Sequence, residues 1–287
     1  MEQKIKNKPL RWRKIRKDRR AAAKAFLMNR ERFCVSASAR FLGIKKSRGH
    51  VWYLNNSIGE ISALLLHSHR SLYPVFDQNP RVPGPRFLNR FLGKLPIHAI
   101  QGLREDTEIL EALVETQGYF AAERIDYDLM SIDTQPRREA LNAGPANLVL
   151  RNPVKGDEEG IFILQAAYEQ EEVIPQNAVF NPSVCRLNLE HILSTERVLI
   201  AVLDGQIVGK INTSAESFAR YQIGGVYVHP SYRGLGIAVK MTAVFVQNLL
   251  ALGKGVTLFV KQRNNTARTV YRKVGLSALA DYRISYY

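Results

Sequence analysis

The sequence predicts an α/β (α+β) fold in which a mixed sheet is flanked by helices, and three observations carry that prediction. The first is Ile223 to Val228, an apolar strand that gives way, past Pro230, Gly234 and Gly236, to an unbroken helical pattern reaching about Leu252. The second is a pair of strand-like runs, Arg197 to Leu203 and Gln206 to Thr213, joined by Asp204-Gly205, a strong two-residue hairpin turn. The third is Val256 to Val260, another apolar strand, followed at once by a helical stretch that begins at Asn264.

From the N-terminus, a basic helical region runs from Arg16 to about Leu42. Val51 to Leu54 and Ile58 to His67 then read as a hairpin around Asn55-Asn-Ser, and Pro74 to Pro96 reads as an irregular, proline-rich loop. A strand from Pro96 to Ile100 and a helix from Arg104 to Gln117 follow. Thr134-Gln-Pro136 and Ala143-Gly-Pro145 interrupt regular structure, which divides the chain into a basic segment 1–24, a first domain 25–134 and a second domain 148–287. The second domain opens with a strand at 148–151 and helical segments from Asp157 to Gln170 and Val184 to Leu193. After the elements named first, it closes on a strand from Tyr282 to Tyr287. The first domain repeats this order in part, as a worn copy or as an unrelated α/β domain.

The strand-to-helix loop has the chemistry of an anion cradle. Pro230 ends the strand because it has no N–H to donate, and Gly234 and Gly236 let the main chain wrap closely around a ligand. The N-terminus of the following helix adds partial positive charge to a row of unpaired amides. A pyrophosphate is bound there without requiring a lysine or a metal.

Arg233-x-x-Gly236-x-Ala238, placed after Val226-x-Val228-x-Pro230, resembles the acyl-coenzyme A loop of the GNAT superfamily of N-acetyltransferases. Asn264-x-x-Ala267-x-x-x-Tyr271, ending on Gly275-Leu276, is similar to a second signature of the same family, and the resemblance spans about Leu148 to Tyr287. It implies a mixed, mostly antiparallel sheet flanked by helices, and it makes two tandem GNAT-like domains, the first a degenerate copy, the expected organisation. Gln101-Gly102-Leu103-Arg104 stands where the copy's coenzyme loop is expected and lacks its spacing, so a second coenzyme site is not expected.

The resemblance also implies roles. Acetyl-CoA is the cosubstrate and no metal is involved. Val226, Tyr227 and Val228 hold pantetheine in a gap between two splayed strands. Arg233, Gly234, Leu235, Gly236, Ile237 and Ala238 hold the pyrophosphate. Asn264 contacts the pantetheine arm, and Tyr271, seven residues on and so on the same helical face, protonates the leaving sulfur. A phenol, with an unperturbed pKa of about 10, keeps its proton at neutral pH. The alternative for Tyr271 is an aromatic packed beneath the sheet.

A base is harder to find, because Gln222 to Val228 holds no carboxylate where many family members carry a glutamate. Glu169, Glu171 and Glu172, between the first two helices of the second domain, are candidates, with Glu172 the one selected, and surface charge is the alternative for all three. Asn212, Thr213 and Ser214 lie at the end of a strand nearby. His67-Ser-His69 has no identifiable third ligand for a metal, His229 reads as exposed, and Gly43-Ile-Lys-Lys-Ser47 lacks the spacing of a nucleotide P-loop.

The chain's 287 residues, 46% of them apolar, are enough for two ordinary cores. The apolar stretches Ile61 to Leu66 and Val198 to Leu203 are of strand length, so no membrane span is expected, nor a signal peptide. Cys34 and Cys185 have no pairing or zinc spacing and read as packed thiols in a reducing cytoplasm. Of the net charge of +15, residues 1–24 supply +9, from eleven Lys or Arg against two carboxylates. Such a segment has the composition to contact RNA, the ribosome or an anionic lipid surface, and equally that of a solvated helix face. Two readings follow. One is an N-acetyltransferase that acetylates a primary amine on a small molecule, peptide or protein. The other is a non-catalytic acyl-CoA-binding or RNA- or ribosome-associated GNAT-like module.

Overall fold

A computed structural model describes residues 10–44, 49–78, 80–84, 96–174 and 179–287. The chain divides into two units, Met1–Tyr127 together with Ala280–Tyr287, and Asp128–Leu279. The changeovers therefore follow Tyr127 and Leu279, where the sequence suggests 134–147.

In the first unit, β1 (Arg13–Lys14), β2 (His50–Asn55), β3 (Ile61–Ser68) and β4 (Ser71–Phe76) form consecutive antiparallel pairs. β5 (Ala99–Leu103) runs parallel to β4 over two pairs only, Ser71 with Ala99 and Leu72 with Ile100. α1 (Arg20–Arg30), α2 (Val35–Gly43) and α3 (Arg104–Glu115) complete it, and Trp12, Trp52, Leu65, Phe76, Ile100 and Leu110 share one core.

Four expectations change here. Tyr282 to Tyr286, expected to close the second domain's sheet, pair antiparallel with β5 of the first unit, Tyr282 opposite Leu103 and Tyr286 opposite Ala99. Alternating apolar residues show that a strand has a buried face but not which sheet edge receives it. Ile58 lies in a turn rather than a strand, because Asn56 Oδ1 accepts from the amides of Ile58 and Glu60 at 3.1 and 2.9 Å. Pro74 lies inside β4 rather than in a loop, and it is tolerated because it falls beyond the last β4–β5 pair. The basic segment also differs: residues 1–9 lie outside the described residues, while Trp12 is buried in the first unit's core and Arg19 and Arg20 lie over the rings of Tyr53 and Phe41.

The second unit is built on the sheet order β6 (Glu123–Ile132, from residue 128 on), β11 (Gly255–Lys261), β10 (Arg220–Val228), β9 (Gln206–Glu216), β8 (Val198–Leu203) and β7 (Val149–Arg151). β7 to β10 pair antiparallel in sequence, and β10 with β11 is parallel. Asp204 and Gly205, at φ +50° and +78°, make the expected hairpin turn. The helices are α4 (Arg138–Leu141), α5 (Glu158–Tyr168), α6 (Pro182–Thr195), α7 (Ile237–Leu250) and α8 (Asn265–Val274). α5 continues into a five-residue π-helical turn, Glu169–Val173. α7 fixes the site from below by burying Met241, Phe245, Val246 and Leu249, each worth roughly 1.5–3 kcal/mol of removal from water.

The topology also realigns the two halves. β4 and β5 are the parallel neighbours of the first unit as β10 and β11 are of the second, so β5 and α3 correspond to β11 and α8. The counterpart of the glycine loop is therefore the segment 77–98, not Gln101 to Arg104; its residues 79 and 85–95 lie outside the described ones.

Candidate functional site

The site begins where two strands part. β10 and β11 pair from Arg220 opposite Gly255 to Ile223 opposite Leu258, and no further. On its other edge β10 bulges: Gly224 faces Asn212 and Tyr227 faces Lys210, so Gly225 and Val226 share the space of the single residue Ile211. Gly225 adopts φ +57°, open to glycine at little cost. Between the parted strands lies a cleft of about 740 Å³. Val226, Tyr227, Val228, Arg233, Gly234, Gly236, Ile237, Ala238, Asn264, Tyr271 and Glu172, all singled out in the sequence, line it. Leu235 does not, and it is 49% exposed.

One end of the cleft is the glycine loop. Gly234 and Gly236 stand at φ +83° and +80°, and Gly236 is the N-cap of α7. A Cβ on Gly234 would meet open space, whereas one on Gly236 would lie 2.9 Å from the amide nitrogen of Gly144. The turn around Gly144, read from the sequence as linker, is thus a wall against which the loop is folded. Arg233 Nε donates to the Val228 carbonyl at 3.1 Å, and Ile237 is buried, so the first turn of α7 is held with its unpaired amides toward the cleft.

The opposite lip is β11 and the start of α8. Asn264 is not within the helix as expected from the sequence but is its N-cap, and its Oδ1 accepts from Ala267 N at 3.0 Å. The cap spends the amide oxygen and leaves Nδ2 as the donor to the cleft. Tyr271, one turn from the helix end, is 7% exposed, and burial, then Tyr168 and Glu172, raise its phenol above the ordinary value.

The π turn joins the two lips. Glu171 accepts from Tyr227 Oη at 2.5 Å and from Arg233 Nη2 at 2.9 Å, on the β10 side. Glu172 accepts from Asn264 Nδ2 at 3.0 Å and pairs with Lys261 Nζ at 3.1 Å, on the β11 side. Burial opposes ionisation of Glu171, but the hydrogen bonds from Tyr227 and Arg233 prevail and hold its carboxyl below the usual range. Burial and then Glu171 push the Tyr227 phenol up to about 12. Glu169 is buried away from the cleft lips, accepting from Gln165 and Asn188 at 2.9 and 3.3 Å.

Two residues that sequence reading missed belong to this neighbourhood. Lys210, in the middle of β9, is 2% exposed, and its Nζ lies 4.9 Å from the ring centroid of Tyr168. Tyr168 in turn meets Tyr227 edge to face, centroids 6.4 Å apart. The available signal was a lysine inside the otherwise apolar Ile207 to Ile211 of a hairpin strand. His229, expected to be exposed, is half-buried, and its Nδ1 accepts from Ser231 N at 3.3 Å. No group of three or more His, Cys, Asp or Glu arranged to hold a metal ion occurs among the described residues, and none of their helices is long and apolar enough to cross a membrane.

Residues 148–276 match the sequence model of the acetyltransferase (GNAT) family. No curated protein matches the chain by sequence. Among solved structures, a tandem GNAT protein from the clavulanic acid biosynthesis pathway is similar over 96% of this chain and 97% of its own, at a TM-score of 0.60 and 12% identity. A Drosophila protein matches over 96% and 98%, at 0.60 and 11%. A GCN5-related N-acetyltransferase from Sphaerobacter thermophilus matches over 96% and 94%, at 0.54 and 20%. At these identities the likeness is one of fold, and the fold is that of a tandem GNAT protein. Nucleic-acid contact finds no support in these matches.

Proposed function

We propose, from the match of residues 148–276 to the acetyltransferase (GNAT) family model, that the chain is an N-acetyltransferase, moving an acetyl group from acetyl-CoA to a primary amine. One observation carries the reading: the early end of β10–β11 pairing opens a cleft with the glycine loop at one end and Tyr271 in its wall.

The residues fit the coenzyme. Gly234 has open space above it and a positive φ, so its amide and those of the first α7 turn are free to donate to a diphosphate. Arg233 adds a guanidinium, and Asn264 Nδ2 is a donor for a pantetheine carbonyl. Val226 to Val228 have no strand partner on the edge that β11 abandons. When bound, acetyl-CoA supplies the activated acyl group as a thioester. The main-chain amides on that edge are the donors available to a carbonyl oxygen gaining charge, and Tyr271 Oη holds the proton that a departing thiolate needs. Burial keeps that proton in place at neutral pH.

Glu172 is less available to an incoming amine than the sequence suggests. It is engaged with both Lys261 and Asn264, which favours a role in holding the lips of the cleft. The test is thiol release from acetyl-CoA across a panel of primary amines, with mass spectrometry of the products. Amine-dependent release with an acetylated amine supports the reading. Saturable acetyl-CoA binding with no release for any amine would turn the protein into a binding module.

A further inference from the structure

The bulge of β10 is held by a side chain of the neighbouring strand. Among the described residues, neither the β9 register nor the β11 register includes Gly225 or Val226. Lys210 takes the place of the missing ladder partner: its Nζ donates to the Gly225 carbonyl at 3.0 Å and to Asn212 Oδ1 at 3.1 Å. Asn212 is braced in turn, its Nδ2 donating to Glu196 Oε2 at 2.8 Å and to the Thr213 carbonyl at 3.0 Å, which leaves Oδ1 toward the amine. The clamp closes over glycine alone, because a Cβ on Gly225 would collide with Asn212 Oδ1 and lie 2.8 Å from Lys210 Nζ. It uses two N–H groups, which a lysine keeps whether charged or neutral.

A clamped carbonyl also aims the amide that follows it. The Gly225–Val226 peptide is trans and planar, so its N–H points opposite to its C=O. With the carbonyl turned to Lys210, the Val226 N–H is directed away from Lys210, and Val226 lines the cleft. Gly225, at φ +57°, has the freedom to turn that peptide otherwise, so the lysine is what fixes it.

We propose that Lys210 is a positioning residue: by holding the Gly225 carbonyl it presents the Val226 N–H to the carbonyl oxygen of the acyl group. This rests on the acyl-transfer reading above, which calls for donors on the parted edge without selecting the amide or what holds it. Lys210 touches neither coenzyme nor acceptor and acts through one peptide group. A donor already aimed needs no rearrangement as the oxygen gains charge, which is where such a bond contributes to rate.

The test uses the full chain, wild type and Lys210→Met, with acetyl-CoA carrying 13C at its acetyl carbonyl. Methionine fills much of the lysine's space and removes the donors. The infrared band of the bound carbonyl is expected at lower frequency in the wild type than in the variant. Turnover of whichever amine in the panel is acetylated is expected to fall about 100-fold in the variant, while acetyl-CoA affinity, set by the glycine loop and Asn264, is retained. The same band and the same turnover in both proteins overturn the proposal. A second measurement needs the wild type alone, should Lys210→Met not fold. With 15N-valine labelling, the Val226 amide proton, assigned by its absence in Val226→Leu, is expected to move downfield as acetyl-CoA saturates the protein. A Val226 amide that acetyl-CoA leaves unmoved overturns the proposal, whereas absence of acetyl-CoA binding by the wild type refutes the acyl-transfer reading instead.

Discussion

The carboxylate of Glu171 holds the guanidinium of Arg233 at 2.9 Å. Arg233 is the side chain of the glycine loop that we propose meets the diphosphate, and its charge is engaged by the π turn. A diphosphate must compete with Glu171 for it. The pair is well exposed, at 48% and 43%, so its worth is roughly 0.2–1 kcal/mol. Glu171→Gln is expected to tighten acetyl-CoA binding by no more than about fivefold, with the gain shrinking as salt rises. Calorimetric titration at two ionic strengths measures it, and weaker binding by the variant would show that Glu171 supports the loop rather than competing for it.

Tyr271, proposed as the proton donor, is also a core residue, so the two roles must be separated. Tyr271→Phe keeps the ring and removes only Oη. The expected loss in kcat is about 100- to 1,000-fold, with acetyl-CoA affinity and melting temperature close to wild type. Equal kcat in both proteins would leave Tyr271 a packing residue.

Gly234 and Gly236 share a backbone conformation but not their surroundings, and substitution distinguishes the two. Gly234→Ala is expected to cost about 1–2 kcal/mol of left-handed strain alone. Gly236→Ala must also displace the main chain at Gly144, 2.9 Å away, so its loss of stability and of coenzyme affinity should be the larger. Thermal melts and coenzyme titration of both variants give the comparison.

Lys210 links stability to pH. Its folded pKa, about 7, is below that of the unfolded chain, about 10.4. Between these values the unfolded state binds more protons, so stability rises with pH across that window and is level below it. Relative to Lys210→Met, the wild type is expected to gain at most about 1.4 kcal/mol per pH unit from pH 7 upward. Urea midpoints of both proteins at neutral and alkaline pH check the sign; a constant difference would mean that Lys210 does not titrate in the fold.

Much of the site was legible in the sequence because local chemistry dictates it. Asp204-Gly205 fixes a hairpin, and Gly234, Gly236 and Pro230 fix a strand-to-loop-to-helix transition, whatever surrounds them. What escaped depends on distant partners. The first-unit location of Tyr282 to Tyr286 is decided by the free edge of β5, and no residue in the strand encodes it. Asn264 as an N-cap was readable from its position before Asn265-Thr-Ala, but a helical register drawn through Asn264 and Tyr271 concealed it. Lys210 drew no reading from the sequence, because its burial by Tyr168 and the bulge at Gly225 exist only in three dimensions.

The central claim, that the glycine loop and parted strands of the second unit form a coenzyme site, is tested most directly by calorimetric titration of acetyl-CoA into the folded chain. The corresponding cavity of the first unit, beside Pro74, Gly102 and Tyr282, is only about 10 Å³. One saturable site per chain is therefore expected, lost or strongly weakened in Gly236→Ala. Absence of saturable heat from well-folded wild-type protein would contradict the account.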